Sequence, residues 1–131
     1  MNTTQKNILV VDDEELLRDM LNTVLEDEGY QVDSAKDGIT ALELLKSKKY
    51  DLIATDLFMP NMNGFDLLQD CENLYPGMKT IMLCGGGENL EAIHGAKEVI
   101  FNGQHITVDL FMKKPWSLAE LLPKLEAILE E

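Results

Sequence analysis

Apolar positions along the chain fall into two alternating kinds of cluster. Short, continuous, β-branched runs stand at 7–11 (N-I-L-V-V), 51–55 (D-L-I-A-T) and 79–84 (K-T-I-M-L-C), the pattern of strands buried on both faces. A weaker run at 30–35 and an alternating one at 106–112 (I-T-V-D-L-F-M) bring the predicted strands to five. Between the strands the apolar spacing changes to three and four. Leu16, Leu17, Met20, Leu21, Val24 and Leu25 predict a helix over 14–28, with Gly29 where a C-terminal cap belongs. Ala41, Leu42 and Leu45 predict a second helix over 39–45. Phe65, Leu68, Cys71 and Tyr75 predict a third over 65–74, ended by Pro76-Gly77. Segments 90–101 and 116–129 read as the fourth and fifth helices, and Pro123 should kink the last one or open its second half.

Strand and helix alternating five times call for a parallel sheet, because parallel neighbours need crossovers and right-handed crossovers lay helices on both faces. The expected fold is therefore an α/β three-layer sandwich, one domain over 1–131, with no repeat, low-complexity tract or linker. Apolar residues at 45% and charged ones at 27% are ordinary for a globular core. Charge narrows the partners: 24 acidic against 11 basic residues give −13, a surface that repels nucleic acid. No apolar run approaches the ~20 residues of a membrane span, and residues 1–7 do not lead into a signal-peptide core, so a cytoplasmic protein is expected. Cys71 and Cys84 lack the spacing of a disulfide framework or a zinc site.

Open parallel sheets work at the carboxyl ends of their strands. Those ends carry Asp12 and Asp13 after the first strand, Asp56 after the third, Cys84 after the fourth and Lys114 after the fifth. Three converging carboxylates raise one another's pKa unless a cation intervenes, and magnesium, which keeps waters and an open edge, is the expected ion. Beside it Lys114 could neutralise a phosphoryl oxygen. The set suits phosphoryl transfer to a carboxylate, with Asp56 as the nucleophile.

The motifs V-V-D-D-E at 10–14, D-L-F-M-P-x-M-N-G at 56–64 and K-P at 114–115, in this order and spacing, resemble the receiver domains of bacterial two-component response regulators over almost the whole chain. The resemblance implies a flavodoxin-like sheet of order 2-1-3-4-5. It implies that Asp13, Asp56 and the backbone carbonyl of Phe58 bind magnesium, with Asp12 acting through water. Asp56 would take phosphate from a phosphohistidine on a histidine kinase or phosphotransfer protein. Lys114 would pair with the phosphoryl group, the Lys114-Pro115 bond would be cis, and Gly64 would supply a positive φ after Asp56. The domain would be a switch and not an enzyme, handing its signal to a downstream protein the sequence does not name.

The chain also departs from that pattern. Cys84 stands where the family has Thr or Ser, and a thiol is a weak donor, so coupling of phosphorylation to the distal face should weaken. Phe111 occupies the place of the family's aromatic switch residue. The stretch from Cys84 to Lys114 is longer than usual, with residues added near 101–108. Asn102-Gly103 could cap a lengthened fourth helix or turn a hairpin between 99–101 and 105–107, and the helix is the favoured reading. Gly85 to Gly87 reads as a hinge, since no Lys-Ser/Thr follows. Lys113, His94 and His105 read as surface residues and Trp116 as packing. Two other functions compete: a pseudo-receiver that binds partners without phosphorylation, and an aspartate-nucleophile phosphohydrolase, which D-D-E in place of D-x-D disfavours.

Overall fold

A computed structural model describes residues 5–85, 87, 89–114 and 116–131. Its elements in chain order are β1 (Asn7–Val11), α1 (Glu15–Asp27), β2 (Gln31–Ala35), α2 (Gly38–Ser47), β3 (Leu52–Thr55), α3 (Gly64–Leu74), β4 (Lys79–Cys84), β5 (Leu90–Glu91), β6 (Glu98–Phe101), β7 (Gln104–Thr107), β8 (Leu110–Lys113) and α4 (Leu118–Glu130). Five of the strands form one parallel sheet in the order β2-β1-β3-β4-β8, so the expected 2-1-3-4-5 arrangement holds, with β8 as its fifth member.

The strand runs lack polar alternation because both faces are covered. Ile8, Val10, Leu52, Ala54, Ile81, Leu83, Leu110 and Met112 pack with Leu21 and Leu25 of α1 and with Leu121, Leu125 and Ile128 of α4. The intervening residues Leu9, Val11, Ile53, Met82, Cys84 and Phe111 point the other way, toward α2 and α3. Caps place the helices at the strand ends. Asp37 accepts the Thr40 amide at 2.8 Å and Asn63 that of Asp66 at 2.8 Å, while Gly29, at φ 100, ends α1. Pro123 neither ends nor divides α4, which runs through it to Glu130 with the proline on its exposed side. Among the described residues, no helix is long and apolar enough to cross a membrane.

The expected fourth helix over 90–101 does not form. That segment and the next build a separate antiparallel sheet, β5-β6-β7, and the predicted strand at 106–112 divides between β7 and β8. Left-handed residues interrupt any helix there: Asn89 has φ 63 and Gly95 φ 86. Asn102 and Gly103 follow at φ 52 and 79, the paired positive angles of a type I′ turn, and Phe101 faces Gln104 across it. The hairpin then sets Val99 opposite Ile106, and both enter the core beside Phe65 and Phe111. Thus a small sheet takes the fourth helix's place on the α2–α3 face.

The insertion also covers the open edge of β8, which would otherwise present unpaired backbone. The Gly95 N–H donates to the Phe111 carbonyl at 2.7 Å and the Phe111 N–H to Ala96 at 2.9 Å, while just before β8 the Val108 N–H donates to Lys97 at 2.7 Å. Gly103→Val tests the turn. A Cβ there meets nothing within 4 Å, so the cost is torsional, about 1–2 kcal/mol. The melting temperature should fall by about 3–8 °C, with amide shift changes centred on 99–106. An unchanged melt would mean the turn needs no left-handed residue.

Candidate functional site

The carboxyl ends of β1, β3 and β8 bring Asp12, Asp13, Asp56 and Lys114 together. The three carboxylates each offer an oxygen within 4.8 Å of the other two. Asp12 and Asp56 are buried and Asp13 is exposed, so the cluster is open on one side. The Asp12 backbone N–H donates to Ala35 at 3.1 Å, and its Oδ1 accepts the Glu14 N–H at 2.8 Å. Asp56 is fixed from the chain's own next residue: Oδ1 accepts the Leu57 N–H at 2.7 Å. Its other oxygen, Oδ2, lies 3.9 Å from the Lys114 Nζ.

The electrostatics are those of a cluster short of positive charge. Burial pushes the Asp56 carboxyl up to about 6, Lys114 opposing the rise while Asp12 and Asp13 add to it. Burial likewise raises Asp12, against the Glu14 amide and Lys114. Desolvation would lower Lys114, but Asp56, Asp12 and Glu14 together hold its ammonium above the ordinary value. A small hard cation fits these residues, because it would relieve two desolvated carboxylates that one half-buried lysine leaves under-compensated.

The remaining expected residues are placed as follows. Phe58 lies two residues beyond Asp56, and its ring meets Phe101 of the hairpin edge-on, with centroids 5.8 Å apart. Cys84 is fully buried at the end of β4, within the core cluster, and its carbonyl accepts the Lys114 N–H at 2.8 Å. Phe111 is buried at 1% exposure, beneath the hairpin. Gly64 departs from expectation: it is not among the glycines of positive φ. What it needs is space, since a Cβ would sit 2.0 Å from the Asp56 carbonyl oxygen. Two expectations lie outside the described residues, the Lys114-Pro115 bond and the middle of the glycine run at Gly86.

A family model for the response regulator receiver domain matches residues 8–126. The chain belongs to that family. This receiver is 31% identical, over 93% of its length, to a CpxR-homologue transcriptional regulatory protein of Haemophilus influenzae, and covers 49% of that relative. It therefore spans about half the length of such curated relatives. Among solved structures it is similar to a CheY-like receiver of Methanospirillum hungatei, at 28% identity and TM-score 0.80, covering 97% of this chain and 95% of that one. It is also similar to the response regulator TrrA of Thermotoga maritima, solved with Mg2+ and BeF, at 28% identity and TM-score 0.77, covering 95% and 99%. TrrA has been solved in complex with the histidine kinase ThkA as well.

Two partners of the receiver's site, Glu14 and Arg18, and a contact beside it, His94, escape a reading of the sequence. Glu14 pairs with Lys114 at 3.5 Å, and the third acid of D-D-E was its only signal. Arg18, the only arginine, donates from Nη1 to the Asp12 carbonyl at 2.6 Å, from the first turn of α1. His94, expected merely at the surface, accepts the Lys113 N–H on Nδ1 at 2.9 Å and meets Glu120 through Nε2 at 2.6 Å. It thereby ties the end of β8 to the insertion and to α4. Nothing in the sequence near position 94 indicates this, because both contacts depend on the insertion's path.

Proposed function

We propose that this receiver is a phosphoacceptor switch in which Asp56 takes a phosphoryl group from a phosphohistidine of a histidine kinase or phosphotransfer protein. The observation that carries the reading is the asymmetry of the Asp56 carboxylate: one oxygen is tied to the Leu57 amide, and the other faces Lys114 within the acidic cluster. Asp13, Asp56 and the Phe58 carbonyl would hold magnesium, with Asp12 acting through water. When bound, the ion supplies positive charge against the phosphoryl oxygens.

The chain's own groups do the rest. The Leu57 N–H fixes the rotation of the carboxylate, so Oδ2 is the oxygen presented to phosphorus. As the O–P bond forms and the P–N bond to imidazole breaks, Lys114 neutralises an oxygen of the transferring group. To do so it exchanges its present partners, Glu14 and Asp56, for the phosphoryl group. Residues 1–131 would act as one receiver unit, in a cytoplasmic setting.

The signal would leave through the inserted sheet. Phe58 and Phe65 both contact Phe101, at 5.8 and 5.9 Å between ring centroids, and the Phe111 backbone is clipped to residues 95 and 96. A downstream protein would thus read a strand surface where the family commonly offers a helix. The experiment is incubation with acetyl phosphate and magnesium followed by intact-mass measurement. A phosphate-sized gain that disappears in Asp56→Asn is expected. Absence of the gain, or its persistence in the variant, would overturn the reading; absence together with intact partner binding would make the chain a phosphorylation-independent binding module.

A further inference from the structure

At the end of the sheet opposite the acidic site, where the strands begin, a groove of about 820 Å³ runs between the C-terminal end of α2 and the turn after α3. We propose that this groove binds an acidic peptide segment carrying an apolar side chain. Lys6, Lys46, Lys48, Lys49 and Lys79 border it, five of the chain's eleven basic residues, against two acidic side chains, Asp51 and Glu131. The Oδ2 of Asp51 already accepts the Asn7 N–H at 2.8 Å. Lys48 pairs with Asp33 and Lys79 with Glu131, while Lys6, Lys46 and Lys49 have no ion-pair partner among the described residues. Complementing the α2 dipole would account for Lys46 alone. Lys6 and Lys79 come from the starts of β1 and β4, so several separate segments converge to make the basic rim.

The surroundings decide the ligand. On a molecule of charge −13 an anion is repelled nearly everywhere, and a local basic rim around a concave surface is where the field reverses. Leu45, Tyr75 and Met78 line the same groove, and Leu74 stands at its edge 61% exposed. Such a lining has no use for inorganic phosphate but suits a side chain inserted between flanking carboxylates. A nucleic acid fits less well. The groove offers lysines without arginine, and an extended polyanion would meet the net negative charge beyond the rim.

The test is titration of 15N-labelled protein with a synthetic peptide of aspartates and glutamates around a central leucine. Amide shifts confined to residue 6, 45–51, 74–79 and 129–131 are expected, weakening as salt is raised. Lys46→Glu combined with Lys49→Glu, both exposed, should reduce affinity at least about tenfold. The same peptide with Asn and Gln for its acids, the peptide with serine for leucine, and a single-stranded oligonucleotide of equal charge should each bind more weakly. Equal binding by any of these three, shifts scattered elsewhere, no shifts, or undiminished binding to the double variant would overturn the proposal.

Discussion

Gly64→Ala should lower the melting temperature by about 10 °C or more and leave little phosphate uptake from acetyl phosphate. The new Cβ would lie 2.0 Å from the Asp56 carbonyl oxygen, 3.0 Å from its carbonyl carbon and 3.1 Å from the Leu57 Cα, all of them backbone atoms that cannot rotate aside. The Gly64 N–H also donates to the Leu57 carbonyl at 2.7 Å, so α3 begins pressed against the peptide that carries Asp56. Either the helix slides, opening the core around Phe65 and Leu68, or the Asp56 peptide moves; overpacking of this kind costs about 3 kcal/mol. Both outcomes shift Oδ2 relative to Lys114, so stability and chemistry should fall together. A circular-dichroism melt within about 3 °C of the native protein would show that this contact yields cheaply.

The same residue illustrates what the sequence could and could not convey. That position 64 must be glycine was readable from the motif around it, but the reason was not. A positive φ and a forbidden Cβ leave the same letter in the chain, and only the approach of α3 to Asp56 separates them. The parallel sheet was readable because its strands are buried on both faces and so appear as unbroken apolar runs ending in Asp12-Asp13, Asp56 and Cys84. The inserted sheet was not. Val99, Ile100 and Phe101 suit a buried helix or a strand equally, and the hairpin is decided by Asn102-Gly103 together with the breaks at Asn89 and Gly95. Likewise the acids of the site could be found from strand ends, whereas Glu14 and Arg18 enter it, and His94 ties the neighbouring Lys113 to α4, through side-chain paths that no spacing encodes.

Asp56→Asn should raise the melting temperature at pH 7.5 in the presence of a chelator by about 10 °C, even as it removes the proposed phosphoacceptor. Burial, with the charges of Asp12 and Asp13 added, holds the folded carboxyl at about 6 against an ordinary 3.8. A group whose pKa is raised on folding binds more protons in the native state between those two values, so stability grows as pH falls through 6 and is fully recovered only near 4. Above 6 the ionised carboxylate costs the fold on the order of 3 kcal/mol, which a neutral amide of the same shape avoids. The informative quantity is the difference in melting temperature between variant and native protein, because titration of other groups largely cancels from it. That difference should be greatest at pH 7.5 and shrink toward pH 5. Millimolar magnesium should shrink it as well, by stabilising the native cluster more than the variant's. A variant no more stable than the native protein in chelator would show that Lys114 already balances the acidic cluster, and would remove the electrostatic reason for a cation there.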